Sequence, residues 1–291
     1  MFFKRLENIA LTLLLVTLLL TACKQQSINV NDPVYKTGEL LKGFASAWSD
    51  RDGDKLLSYY SKSVKSYDAT SQGLYYDYTA IASVLHWDIP NGVFDVKILS
   101  FFVSDDGRFA ATVGTFGELK GTEYDSIPYV SLLEISEGQI VWAYDYYGGI
   151  LSDVHPLQEI PESANKPASS GKVIAETRMT ITDWEAAYNN QDAQTLISLY
   201  ADRATCTDVV GPEWRVLTKD SLLQDLEDQF QSEEFASSLD NFFVSANGRF
   251  AAVQGVYADA NVTKRPMVIL LEVDKGKVVE QYNYLFYKRT P

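Results

Sequence analysis

Cysteine and histidine are nearly missing from this chain, which has two of each in 291 residues. The cysteines are Cys23 and Cys206. The first closes an N-terminal apolar run, so no intramolecular disulfide is expected and stability must come from packed cores. His86 and His155 form no H-x-H or HExxH spacing, and no CxxC occurs, so neither a metal nor a cofactor is expected. Basic charge is also short, with 25 Lys and Arg against 39 Asp and Glu and a net charge of −14. A surface of that sign repels phosphate backbones and anionic headgroups, so nucleic acid is not an expected partner. The longest apolar run, Ile9 to Leu20, spans about 12 residues against the roughly 20 that cross a bilayer.

That run follows Lys4 and Arg5 and leads to Thr21-Ala22-Cys23, the layout of a signal peptide over residues 1–23. Leu20-Thr21-Ala22-Cys23 resembles the bacterial lipobox. The resemblance implies that Cys23 is acylated, with palmitate among the chains, and becomes the mature N-terminus. It also implies a protein held in the cell envelope by its lipid, with the membrane contacted through Cys23. Lys24 after the cysteine implies the outer membrane in a host that has two. Residues 24–33 read as a polar tether.

A block of the chain is written twice. Phe101-Phe102-Val103-Ser104 to Gly107-Arg108-Phe109-Ala110-Ala111 returns as Phe242-Phe243-Val244-Ser245 to Gly248-Arg249-Phe250-Ala251-Ala252, and Leu132-Leu133-Glu134-Ile135 as Leu270-Leu271-Glu272-Val273. Trp48/Tyr188, Tyr60/Tyr200 and Asp68/Asp208 keep an offset of 140. A period this long exceeds that of solenoids, so two self-sufficient domains are expected, over 34–151 and 173–291. Between them, 152–172 carries Pro156, Pro161, Pro167 and Ser169-Ser170-Gly171 without an apolar period, and reads as a linker.

Within each copy Val34, Thr37, Leu41, Phe44 and Trp48, or Ile174, Thr177, Ile181, Trp184 and Tyr188, recur at helical steps. Asp52 and Asp192 are placed to cap a second helix carrying Leu56, Leu57 and Tyr60, or Leu196, Ile197 and Tyr200. A third helix is expected at Asp220 to Phe230, and a weaker one at Thr79 to Trp87. Runs of Val, Ile, Phe and Tyr follow. Asp106-Gly107 and Asn247-Gly248 between them predict type I′ hairpins, and Glu137-Gly138 and Lys275-Gly276 a second turn. The expected fold class is α+β: two tandem cone-shaped domains, each with N-terminal helices packed on a curved antiparallel sheet.

Trp184-Glu185-Ala186-Ala187-Tyr188 through Asp192, Leu199-Tyr200-Ala201-Asp202 and Asp208-Val209-Val210-Gly211 resembles the opening of nuclear-transport-factor-2-like (NTF2-like) domains, including the SnoaL-like and ketosteroid-isomerase branches. The first copy keeps the skeleton in Phe44, Trp48, Asp52, Leu57, Tyr60 and Asp68. The resemblance implies a pocket between helices and sheet. Isomerase chemistry there needs a carboxylate base, a tyrosine and a neutral aspartic acid. Asp208 and Asp68 match the base, whereas the tyrosine position holds Trp184 and Phe44, and the oxyanion aspartate position Ile269 and Ser131. One group of three remains, so ketosteroid isomerisation is not the expected activity.

Asp68, Asp208 and Asp145 are the candidate catalytic or anchoring residues. Each of the first two either serves a ligand or caps the turn after its strand. Asp145 shares a pocket with Asp68 if its strand face is the concave one, and its repeat counterpart is the uncharged Asn283. Trp48, Tyr60, Trp142, Tyr144, Trp184, Tyr188 and Tyr282 are the candidate pocket aromatics, with core packing the other use for each. His86 and Cys206 read as a surface histidine and a buried thiol. The function expected is non-catalytic binding of a small apolar molecule or an envelope protein. The alternative is a SnoaL-like acid–base enzyme of isomerase, cyclase or dehydratase type using Asp68. Sheets of this family pair face to face, so the copies are also expected to pair as an intramolecular pseudo-dimer.

Overall fold

Residues 29–68, 74–120, 123–147, 160–168, 170–209, 215–231, 237–258 and 265–285 are described by the structure, a computed structural model. The signal peptide with Cys23, residues 24–28 of the tether, His155 and Trp214 lie outside them. The chain divides into a unit Met1–Asp32 and a unit Pro33–Pro291 that holds both copies. In the first, the described part is a turn closed by the Asp32 N–H on the Asn29 carbonyl at 2.9 Å. No helix among the described residues is long and apolar enough to cross a membrane.

The helical steps of the first copy fold as α1 (Pro33–Ser49), which buries Val34, Leu41 and Phe44. Asp52 then accepts the Lys55 N–H at 2.9 Å and caps α2 (Gly53–Ser58). The chain continues through β1 (Tyr60–Asp68), β2 (Leu74–Asp77), α3 (Tyr78–Trp87), β3 (Phe94–Val103), β4 (Phe109–Lys120), β5 (Glu123–Ser136) and β6 (Gln139–Tyr147). The second copy repeats this order as α4 (Gly171–Asn189), α5 (Ala193–Ser198), β7 (Tyr200–Val209), β8 (Arg215–Thr218), α6 (Lys219–Gln231), β9 (Ser238–Val244), β10 (Phe250–Tyr257), β11 (Arg265–Asp274) and β12 (Lys277–Leu285). Asp192 caps α5 through the Thr195 N–H at 2.9 Å.

The α+β arrangement is the expected one, with a refinement. Each sheet has six strands, ordered β2-β1-β6-β5-β4-β3 and β8-β7-β12-β11-β10-β9, and it is mixed. The meander from β3 returns its last strand alongside the first, so β1 runs parallel to β6 and β7 to β12. Two local expectations are corrected. Tyr60 and Tyr200 open β1 and β7 and are not helical, because the helices end at Ser58 and Ser198, with Tyr59 and Leu199 as their C-caps. The type I′ geometry, with two positive φ angles, occurs at Glu137-Gly138 (52° and 75°) and Lys275-Gly276 (50° and 71°). At Asp106-Gly107 only the glycine is positive, since the Asp106 carboxylate instead accepts the Ser104 hydroxyl at 2.6 Å and the Arg108 N–H at 3.0 Å.

The doublets Ala110-Ala111 and Leu132-Leu133 show why β4 and β5 lack a polar face. One member of each joins the helix-facing core with Val103, Leu41 and Phe44, and the other joins a core with Phe102, Val130 and Tyr146. A strand alternates its side chains, so a continuous apolar run marks burial on both faces. The second core also holds Phe250, Ala252, Val268, Leu270 and Tyr284, so it is built by both copies. The contacts are reciprocal. Phe102 packs on Phe250 at 6.0 Å and Phe109 on Phe243 at 5.7 Å, each pair exchanging equivalent positions. Ser104 bridges its own counterpart Ser245, while the Asp105 N–H donates to the Val244 carbonyl and the Ala246 N–H to that of Val103. Reciprocity of this kind is the signature of a two-fold relation.

Part of the proline-rich segment is seated against this assembly. The 3₁₀ turn Glu162–Asn165 follows the buried Ile160, and Ala164 is fully buried. The Asn165 amide accepts the Val103 N–H at 2.8 Å and donates to the Phe101 carbonyl at 3.0 Å. It thereby satisfies backbone groups on β3, the edge strand of the first sheet.

Candidate functional site

A cavity of about 170 Å³ opens in the first copy between α1, α3 and the helix-facing side of the sheet. Its floor is set by strand register. Asp68 on β1 lies directly beside Asp145 on β6, and Ser131 on β5 lies across from Asp145. Tyr129, two residues before Ser131, therefore points the same way. Its hydroxyl donates to Asp145 Oδ1 at 2.9 Å, and the Ser66 hydroxyl donates to Oδ2 at 3.3 Å. Trp48, Tyr60, Tyr76, Phe94 and Phe116 form the aromatic wall. Trp48 Nε1 is shut off from solvent without a hydrogen-bond partner.

Burial pushes the Asp145 carboxyl up to about 6, the nearby charge of Asp68 adds to the rise, and donors from Ser131, Tyr129 and Ser66 oppose it. Asp145 is enclosed by protein yet keeps part of its surface towards the cavity. Burial, reinforced by the Asp145 charge, likewise raises the Tyr60 phenol, which stays neutral. The arrangement offers a titratable carboxyl, neutral donors and aromatic faces in one enclosed place.

In the second copy the corresponding side chains are joined in one hydrogen-bond chain. Trp184 Nε1 donates to the Tyr200 hydroxyl at 2.8 Å, and Tyr200 donates to Gln281 Oε1. Gln281 then donates to Asn283 Oδ1 at 2.6 Å, and Asn283 to Asp208 Oδ1 at 2.7 Å. Arg215 closes the chain with ion pairs to Asp208 at 3.0 Å and Asp225 at 2.7 Å. By register, Asn283 stands where the first copy has Asp145, and Gln281 where it has Ala143. Cys206, Ile269 and Met267 replace Ser66, Ser131 and Tyr129. Every group that donates to Asp145 thus has an apolar or thiol counterpart.

The structure brings together Asp68, Asp145, Trp48 and Tyr60 from the residues singled out in the sequence. Trp142 and Tyr144 alternate with Asp145 and occupy the other face, where they stack on each other at 5.6 Å. Tyr144 and Tyr282 pack beside the core shared by the copies. Trp184 and Tyr188 are buried in the second core, and Asp208 serves its ion pair. His86 is exposed on α3 and contacts Asp54 at 2.9 Å, away from the cavity. Cys206 is buried, which holds its thiol protonated. Tyr129 and Ser66 are the site residues that sequence reasoning missed. The signal was their loss in the second copy in step with the change from Asp145 to Asn283. Among the described residues no group of His, Cys, Asp and Glu could hold a metal ion.

No family model matches the chain, and no curated protein matches it. Solved structures do. An NTF2-like protein of unknown function from Mesorhizobium loti is 17% identical, with a TM-score of 0.36, covering 42% of this chain and 99% of its own. A protein from Catenulispora acidiphila with a ketosteroid isomerase-like fold, in complex with trimethylamine, is 18% identical at a TM-score of 0.32, covering 38% and 85%. An NTF2-like protein of unknown function from Burkholderia pseudomallei is 14% identical at 0.33, covering 38% and 90%. The likeness is one of fold, and each match spans about the length of one copy.

Proposed function

We propose that this chain is a lipid-anchored cell-envelope protein that binds a small molecule in the cavity over Asp145, with the second copy as its structural support. The anchor is the acylated Cys23, and the membrane is the outer one in a host with two. The copies act as an intramolecular pseudo-dimer, replacing the second chain of a homodimer. The observation that carries the binding reading is the contrast between the copies. One has a cavity with a buried carboxyl on its wall, and the other links the corresponding side chains in a continuous hydrogen-bond chain. A raised carboxyl among aromatic walls is the kind of polar group that orients a ligand in an otherwise apolar pocket. A crystal structure of the full chain purified from its own envelope tests this. Density of a bound molecule against Asp145 and Trp48 supports the reading, and a cavity filled by water alone or collapsed contradicts it. The anchor is tested by incorporation of alkyne-labelled palmitate, which Cys23→Ser must abolish.

A second reading is favoured by one observation, the carboxyl poised near neutral beside another carboxylate. A group of that kind moves protons at physiological pH. In this reading Asp145 is the acid–base group, raised by burial and further by Asp68, in a SnoaL-like reaction. Asp145→Asn that keeps the ligand bound but abolishes its conversion favours the enzyme. Equal fates of the ligand in both proteins favour the binder.

A further inference from the structure

Side chains alternate along a strand, so Trp142 and Tyr144 on β6 turn away from the cavity and stand on the outer face of the first sheet. There the register builds a grid from three strands. Asp77, Lys65 and Trp142 form one row across β2, β1 and β6, and Tyr75, Tyr67 and Tyr144 form the next. The rings run on from one another: Tyr75 lies 5.1 Å from Tyr67, Tyr67 6.0 Å from Tyr144, and Tyr144 5.6 Å from Trp142. The Lys65 ammonium sits 5.2 Å from the centre of the Trp142 ring. Lys65, Tyr75, Asp77 and Trp142 line an open hollow of about 610 Å³, and Tyr75 is 66% exposed. The fold does not require these rings. By the same register the second copy has Thr218, Thr205 and Glu280 in the first row and Val216, Thr207 and Tyr282 in the second, so the four rings of the first copy are reduced to one.

Rings kept at a wet surface that the fold does not need mark a contact with something else. The grid spans two strand spacings by one side-chain repeat, roughly 10 Å by 7 Å, far below the roughly 800 Å² that each partner of a stable protein pair buries. The hollow instead lies within the roughly 300–1,000 Å³ of small-molecule sites. The net charge of −14 and the carboxylate of Asp77 in the hollow disfavour a phosphate chain. A wholly apolar ligand would strip water from Lys65 and Asp77, which face each other across the β1–β2 ladder as a donor and an acceptor. The chemistry that fits has apolar faces edged by hydroxyls. We infer that this hollow binds a flat sugar chain, made of β-1,4-linked pyranose units whose equatorial substituents leave their C–H faces free. One sugar ring lies on the exposed face of Tyr75 and the next against Trp142, while Lys65 donates to the hydroxyls between them. Asp77 accepts from the same hydroxyls, since the Ala80 N–H, at 2.9 Å from one oxygen, uses only part of what a carboxylate can accept. The site stands apart from the cavity over Asp145 and does not rest on the reading given for it.

The test is a matched pair of sugars on the full chain in a detergent without a sugar head. Cellotetraose and maltotetraose have the same composition and length, and only the first is flat, because its links are β. Calorimetry is expected to show cellotetraose binding at least about fivefold more tightly. Tyr75→Val and Trp142→Glu give the first copy the residues that the second carries at the same places, and each is expected to weaken cellotetraose by about fivefold or more. Val216→Ala, in the second copy, is expected to leave it unchanged. Lys65→Thr, a change at an exposed position, must also weaken binding, which keeps the inference testable should an aromatic variant fold poorly. Equal or tighter binding of maltotetraose overturns the assignment of a flat chain. Binding of neither sugar, or binding that Tyr75→Val, Trp142→Glu and Lys65→Thr all leave intact, overturns the site. Sedimentation velocity that finds the chain self-associating, with the association lost in Trp142→Glu, gives the face to a second copy of the protein and overturns the sugar as its occupant.

Discussion

Replacing Asp145 by asparagine should make the protein more stable at neutral pH and indifferent at acid pH. The carboxyl ionises at about 6 in the folded chain against 3.8 when unperturbed. At about 1.4 kcal/mol for each pH unit, that gap corresponds to about 3 kcal/mol. The value is an upper figure, because Asp145 keeps surface towards the cavity and water there offsets part of the desolvation. Below the unfolded value both states are protonated and the favourable term is fully present. It is lost as pH rises through the folded value, because the unfolded chain ionises first. Asparagine cannot ionise, can accept from Tyr129 through its oxygen while its amide donates to the Ser66 hydroxyl, and already stands at the equivalent place as Asn283. Urea unfolding of both proteins at pH 4 and pH 7.5 measures the effect. The expected result is a difference near zero at pH 4 and up to about 3 kcal/mol in favour of Asp145→Asn at pH 7.5. A difference that does not change between the two pH values refutes the assignment of a buried, cavity-facing carboxyl.

Three further outcomes are expected. Phe102 is fully buried between the copies, so Phe102→Ala should lower stability by about 3–5 kcal/mol and loosen both copies together, as hydrogen exchange would show; protection lost only in the first copy would contradict a shared core. Gly107 has a φ of +75°, and a Cβ there would come 2.5 Å from the Pro33 carbonyl carbon, so Gly107→Ala should lower the melting temperature, whereas Gly138→Ala, with open space around it, should show only the smaller backbone penalty. Arg215 is half exposed, so Arg215→Ala should change stability by no more than about 1 kcal/mol in a melt and leave ligand retention unchanged; lost retention would place function in the second copy.

The helices were legible in the sequence because steps of three and four, and aspartates at 52 and 192, are local signals. The meander was legible for the same reason. What local signals do not carry is the pairing of β1 with β6, which joins Tyr60 to Ile140 across eighty positions of chain, and with it the meeting of Asp68 and Asp145. That meeting was anticipated only as a condition on which face was concave. Trp142 and Tyr144 were candidates for the pocket on composition, yet alternation from Asp145 sends them to the opposite face, where they stack on each other. Tyr129 and Ser66 escaped notice because a tyrosine and a serine within strands look like ordinary sheet residues. Only the register that sets them around one carboxylate reveals their use. The type I′ turns moved from Asp106-Gly107 to Glu137-Gly138 because the Asp106 side chain bonds its own loop, a competition that a dipeptide preference does not register.

The central claim is that the first copy holds a ligand over Asp145 and the second does not. Native mass spectrometry of the full chain, taken from its own envelope in gentle detergent, tests it most directly when wild type, Asp145→Asn and Asp208→Asn are compared. The account predicts one bound mass per chain in the wild type and in Asp208→Asn, and none in Asp145→Asn. A mass retained by Asp145→Asn and lost from Asp208→Asn, or no bound mass in any of the three, would contradict it.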